Sequence, residues 1–404
     1  MSFDRASMRP FVWAWIAYTA LVVVIAAGIW IPTGIHKEMD FRSLYAAGML
    51  ARTDPSHLYD LSRQKQLQQS LVKNDGLAIP FGHLAYDALL YVPFSFLKYQ
   101  TAYLLMILCN AILIPLCFLA AREEFSAMIP MWQPRAGFIF FTFMPTAIAL
   151  AQGQDSLVLL LTLCLTWRLL NRTHHFAAGL LLANLLLKPH LAVLLLLFLA
   201  VRYGWRIVAG FAAGGAVVTA ICLPFLRHGG WKAWLGVLSD LSLASGNSPA
   251  QEAAMGIYSW AMPNLRGALL FALGHEASSR VLFVIVGVVS LAVLAWALVI
   301  VRKLTPRNAF AFSVIATVLV SYNFEAHDLV ILLLPMVLME IDGNKALARC
   351  RDIVLGLPTI LLLVTPSTPP GAGYALISIP LLVSAFLLSR PAPAQPQLQE
   401  MALI

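Results

Sequence analysis

Four runs in this sequence, 11–31, 101–121, 206–226 and 281–301, are apolar and nearly free of charge. Each is about as long as the roughly 20 residues a helix needs to cross a bilayer. Within hydrocarbon each backbone N–H and C=O must find a partner in the chain itself, which a helix provides locally. Shorter apolar runs follow the same pattern at 136–151, 156–170, 176–187, 191–201, 309–322, 328–340, 353–366 and 372–389. The expectation is an all-α integral membrane protein with about twelve membrane segments, in the range 11–13. Composition agrees: 60% of residues are hydrophobic and 11% are charged, against about 25% charged in a soluble domain. Residues 1–390 read as one membrane domain, with outer loops 32–83 and 227–280. The proline-rich tail 391–404 reads as a disordered cytoplasmic extension. The run Phe11–Ile31 reads as a retained anchor. The short run 84–97 reads as interfacial or re-entrant.

The net charge of +8 does not point to nucleic acid. The basic residues form short clusters between apolar runs, such as Arg122 with Arg135 and Arg168 with Arg172, and this is the pattern of cytoplasmic loops. Loops 32–83 and 227–280 then face outward, on the periplasmic side of an inner membrane. Cys109, Cys117, Cys164, Cys222 and Cys350 include no C-x-x-C pair, so neither a disulfide framework nor a zinc site is expected.

Polar residues in so apolar a chain are costly and mark sites. Lys188-Pro189-His190 breaks a helical run, because proline cannot continue the hydrogen bonding. Freed backbone at that depth lines a cavity or is buried in protein. Lys188 is either a lysine snorkelling from a helix end or a phosphate-binding cation. Gln152-Gly153-Gln154-Asp155 is either an exposed turn or part of a site. Arg266, in Asn264-Leu265-Arg266-Gly267, is a loop arginine or a phosphate clamp. Glu325, His327 and Asp328 form a polar hairpin or part of a site. Asp40 caps the following helix, stands solvated in the loop, or acts as a general base toward an acceptor hydroxyl. Residues 45–50 read as a short surface helix, and Gln64–Val72 as a second, amphipathic one.

These residues fall in a familiar order. Asp40-Phe41, Tyr45 and Gly48 follow the first membrane helix. Ala149, Gln152-Gly153-Gln154, then Ala178-Gly179, Lys188-Pro189 and Asn264-Leu265-Arg266-Gly267 come next. Tyr322, His327-Asp328 and Leu333-Leu334-Pro335 complete the set. The ordered set resembles glycosyltransferase family 87 over about residues 36–340. The resemblance implies the multi-span GT-C fold and a polyprenyl-phosphate-sugar donor, with mannose the sugar used by its mannosyltransferases. It implies Asp40 as catalytic base, with Lys188, Arg266 and His327 near the donor phosphate and Tyr45 and Gln154 shaping the sugar pocket. The chain departs from the family pattern in two places. It has Tyr86-Asp87-Ala88 where Tyr-Pro-Pro is frequent, and Asp155 where asparagine is frequent.

The function expected is inverting transfer of a hexose to a lipid or glycan hydroxyl. Its partners are the polyprenyl-phosphate-sugar donor, the acceptor and membrane lipids, with no nucleic acid. A phosphate monoester needs a divalent ion less than a diphosphate does, so no metal or other cofactor is expected. The competing expectation is a transporter or flippase of lipid-linked saccharides, which would use the same broken helices and internal polar residues.

Overall fold

The computed structural model describes residues 5–36, 40–72, 78–128, 139–227, 229–244, 259–273, 279–341, 344–364 and 372–390. The tail 391–404 and residues 245–258, in the middle of the expected second outer loop, lie outside them. All regular structure among the described residues is helical. Among the described residues, three helices are long and apolar enough to cross a membrane: Tyr99–Ala120, Trp205–Leu226 and Val281–Lys303. Shorter apolar helices stand beside them, among them Ser156–Asn171, Pro189–Tyr203 and Pro306–Val320.

The outward faces are apolar. On Tyr99–Ala120, Leu104, Leu108, Ile112 and Leu116 recur every four residues and all are exposed. A water-soluble helix turns such a stripe inward; an outward stripe of this extent belongs against lipid. The protein core lies instead around Pro306–Val320, in which every residue from Ala309 to Val320 is buried.

Backbone contact between two neighbouring helices is set by glycine. A Cβ on Gly179 would stand 2.0 Å from the Ile207 carbonyl oxygen, and one on Gly210 would stand 2.0 Å from that of Phe176. Helix His175–Leu182 therefore lies backbone to backbone on Trp205–Leu226, as small residues permit in membrane helices.

The expected break at Lys188-Pro189 is present. Helix His175–Leu182 tightens into a 3-10 turn, Ala183–Leu187, and stops. Pro189 then opens helix Pro189–Tyr203 at a position where its missing N–H costs nothing. A second tightened stretch, Ala326–Leu332, carries His327 and Asp328 into helix Leu333–Leu338.

The region after the first helix differs from expectation in two ways. The first helix runs on to His36, past the expected loop start at Pro32. Residues 45–50 lie within helix Phe41–Thr53, which is largely buried and not at the surface. Phe41 explains the burial, because its ring lies within 6.2 Å of the rings of Tyr45, Tyr91, Phe94, Tyr99 and Tyr103. The second expected helix is present as Leu61–Leu71, started by Asp60, which accepts hydrogen bonds from the Ser62 and Arg63 amides. Its Gln64 and Gln68, one turn apart, are buried. Gln64 bridges the Leu58 carbonyl and the Phe81 amide, and Gln68 holds both backbone groups of Ile79. Two side-chain amides thereby fix the extended segment 79–81. The run 84–97 forms helix Ala85–Tyr91 and a 3-10 turn, Pro93–Phe96, both too short to span a bilayer.

Candidate active site

Candidate residues from four separate stretches of chain line a cavity of about 210 Å³. Asp40 comes from the start of the second helix, Gln154 from the turn after Met144–Gln152, Lys188 from the proline break, and His327 with Asp328 from the late 3-10 turn.

Asp40 occupies the N-cap position of Phe41–Thr53, yet its side chain makes no capping bond. Its Oδ2 accepts a hydrogen bond from Gln154 Nε2 at 2.8 Å. A capping aspartate would have turned toward the amides of its own helix. Gly153 makes this contact possible. It adopts a left-handed conformation, φ 64°, and a Cβ there would meet the Phe41 Cβ at 2.9 Å. The turn thus closes directly onto the residue after Asp40.

Lys188 is buried, and its Nζ lies 2.5 Å from Asp328 Oδ1. Ser156 donates to that same oxygen at 2.7 Å. His327 stands between the two halves of the site, with Nδ1 3.9 Å from Asp40 Oδ2 and Nε2 3.4 Å from Lys188 Nζ. Glu325 lines the same cavity. Burial, followed by the Asp328 and Asp40 carboxylates, pushes its carboxyl up to about 8.

Two of the expected site residues are placed elsewhere. Tyr45 packs in the aromatic cluster and donates to the Leu97 carbonyl at 2.7 Å. Arg266 is buried beneath the hairpin that precedes His327. Its guanidinium donates to Asn323 Oδ1 at 2.6 Å and to Ser259 Oγ at 2.8 Å, and covers the Tyr322 ring at 4.1 Å. Both residues lie outside the lining of the cavity.

Beside the cavity lies a second group of polar residues, His83, Asp87 and Asp155. Asp87 and Asp155 fall at the two places where the sequence departs from the pattern it resembles. His83 Nδ1 is bonded to Asp87 Oδ2. Burial opposes the charge on His83, but the Asp87 carboxylate outweighs it and the imidazole is raised above its ordinary value. Burial pushes Asp155 up to about 6, against the pull of Lys188. Ser156 and His83 carry no site signal in the sequence. Ser156 is an ordinary helix-start serine there, and only the fold brings it to Asp328.

Helix Ser156–Asn171 relates the cavity to the rest of the molecule. Its first residue touches Asp328, while Arg168 and Asn171, at its last turn, line a second cavity with Arg122 and Arg172. Sixteen residues of α-helix span about 24 Å, so the site and the arginine cluster lie at opposite ends.

The model of glycosyltransferase family 87 matches residues 87–322, more than half of the chain. The matched stretch contains Gln154, Lys188 and Arg266; Asp40, Tyr45 and His327 lie outside it. No curated protein and no solved structure matches the chain.

Proposed function

The chain belongs to glycosyltransferase family 87, and from that premise we propose that it moves a hexose from a polyprenyl-phosphate sugar to a hydroxyl of a lipid or glycan acceptor. The sugar is mannose, by the resemblance described above. The observation that carries this reading is a single cavity presenting a carboxylate, Asp40, and a buried ammonium, Lys188, with the His327 imidazole between them.

Single displacement at an anomeric carbon uses such a pair. Asp40 takes the proton of the acceptor hydroxyl as its oxygen bonds to the anomeric carbon. The bond from that carbon to the donor phosphate breaks, and its electron pair leaves on polyprenyl phosphate. Lys188 meets the charge that develops there. Because attack and departure are on opposite faces, the anomeric configuration inverts. Gln154 holds one oxygen of Asp40, leaving the other for the acceptor. His327 bridges the base and the phosphate region. Arg266 acts as a positioning residue, bracing the hairpin that delivers His327.

The fold is of GT-C type with about twelve membrane segments. The cavity opens at the outer face of the inner membrane. The arginine cluster at the far end of Ser156–Asn171 supports this orientation, because basic residues remain on the cytoplasmic side.

The test is a comparison of glycolipids by mass spectrometry from cells lacking the protein, cells complemented with it, and cells complemented with Asp40→Asn at equal expression. A glycolipid that loses one hexose in the null strain, regains it with the wild type and does not regain it with Asp40→Asn is the expected result. Full restoration by Asp40→Asn removes Asp40 as the base and favours transport of a lipid-linked saccharide.

A further inference from the structure

We propose that His83, Asp87 and Asp155 bind one divalent cation, of the Mn²⁺ or Zn²⁺ class, in the wall of the donor cavity. One ligand atom from each residue lies within 4.8 Å of those of the other two. An ion about 2.1 Å from each of its ligands separates them by about 3.4–4.2 Å, so a small rearrangement of side chains, in which the His83–Asp87 hydrogen bond gives way to the ion, completes the set.

The state of the carboxylates is the independent observation. Among the described residues, Asp155 is 1% exposed and neither of its carboxylate oxygens has a hydrogen-bond partner; Asp87 is 0% exposed and its Oδ1 has none. Buried carboxylates are paired or coordinate metals, because the alternative is a large desolvation cost. Lys188 is engaged by Asp328. Within the cluster the cationic side chain is His83, and it is bonded to Asp87 Oδ2. One imidazolium cannot neutralise two carboxylates. A dication neutralises both and leaves His83 neutral, as a nitrogen ligand must be.

The donor set narrows the ion. One imidazole and two carboxylates suit Zn²⁺ or Mn²⁺, whereas Ca²⁺ takes six to eight oxygen ligands. The ligands are also held in place. His83 follows the segment fixed by Gln64 and Gln68, Asp87 sits one turn on in Ala85–Tyr91, and Asp155 precedes Ser156–Asn171. His83 lines the cavity, so the cluster borders it. Only the role of the ion rests on the proposed function: with the donor phosphate at Lys188, a phosphate oxygen can complete its coordination. The proposal departs from the expectation that no metal is needed.

The test needs no substrate. The full-length protein in detergent is stripped with EDTA and titrated with Mn²⁺, following free Mn²⁺ by electron paramagnetic resonance, with Zn²⁺ as competitor. One Mn²⁺ per chain, displaced by Zn²⁺, is expected. Asp155→Asn and His83→Ala should each weaken binding at least about 10-fold. Asp54→Asn, which removes an exposed carboxylate–histidine pair, should not. The wild type should also melt at a higher temperature with Mn²⁺ than in EDTA, a readout that depends on no variant folding. Absence of stoichiometric uptake by the wild type overturns the proposal, as does uptake unchanged in both cluster variants. Full restoration of the glycolipid by Asp40→Asn, with Mn²⁺ uptake intact, would instead strike the functional reading alone.

Discussion

Gln154 donates its side-chain amide to Asp40 Oδ2 at 2.8 Å, joining residues 114 apart in sequence. Among the described residues, the helix that follows Asp40 is left uncapped by its carboxylate and His327 is 3.9 Å away. Gln154→Ala should therefore leave the base present but free to turn. A displacement of about 1 Å from productive geometry costs about 10²-fold in rate, so kcat should fall roughly 10- to 100-fold with a smaller change in KM. Steady-state kinetics on the purified protein in detergent checks this, and an equal loss in both constants would contradict it.

Lys188 and Asp328 form an ion pair with side chains 9% and 2% exposed. Truncating one partner strands the other in a dry site, which costs about 3–5 kcal/mol, whereas exchange of both for apolar residues of similar size is often near neutral. Lys188→Met should lower the thermal midpoint strongly. Lys188→Met with Asp328→Leu should recover much of the loss while remaining inactive in transfer. Thermal unfolding of the two variants in the same detergent separates these effects, and a double variant no more stable than the single would count against the pairing.

The apolar runs were legible because hydrophobic length is a local property. Tyr99–Ala120 and Trp205–Leu226 fall within two residues of the expected segments. The break at Lys188-Pro189 was legible for the same reason, since proline acts on its own helix. The first loop was harder to read. Gln64 and Gln68 look like solvent-facing polar residues until segment 79–81 comes beside them. Tyr45 has the same composition signal whether it faces a sugar or packs on Phe41, and only the aromatic cluster decides its place. Asp87 and Asp155 stood out as departures from a pattern, but their meeting with His83 depends on a fold that no local spacing encodes.

Gly210 faces the Phe176 carbonyl so closely that a Cβ would lie 2.0 Å from its oxygen. Backbone cannot swing away as a side chain can, so Gly210→Val must part His175–Leu182 from Trp205–Leu226. Overpacking of this kind costs about 1–3 kcal/mol. Gly215→Val, on the same helix, would place its Cβ 3.8 Å from Leu186 Cδ1, an ordinary contact, and should be nearly neutral. Parallel thermal melts of the two variants check the difference; equal destabilisation would mean that helix propensity, and not the close approach, sets the loss.

Glu325 supplies a pH dependence whose sign follows from its surroundings. Its carboxyl ordinarily titrates at 4.5 and is pushed up to about 8, first by burial and then by the Asp328 and Asp40 carboxylates, with Lys188 and Arg266 opposing. The folded protein thus holds this proton more tightly than the unfolded chain. The linked stability is fully present below 4.5 and is lost as pH rises through about 8. Below about 8 the group is neutral, and the site carries Asp40 and Asp328 against Lys188. Above it, a further negative charge enters the cavity that receives the donor phosphate. Donor affinity should therefore weaken above about pH 8, seen as a rising KM for the donor at constant acceptor. Glu325→Gln keeps the shape of the side chain and cannot ionise, so this alkaline rise should be absent in it. A KM profile with the same alkaline rise in Glu325→Gln would assign the titration to another group.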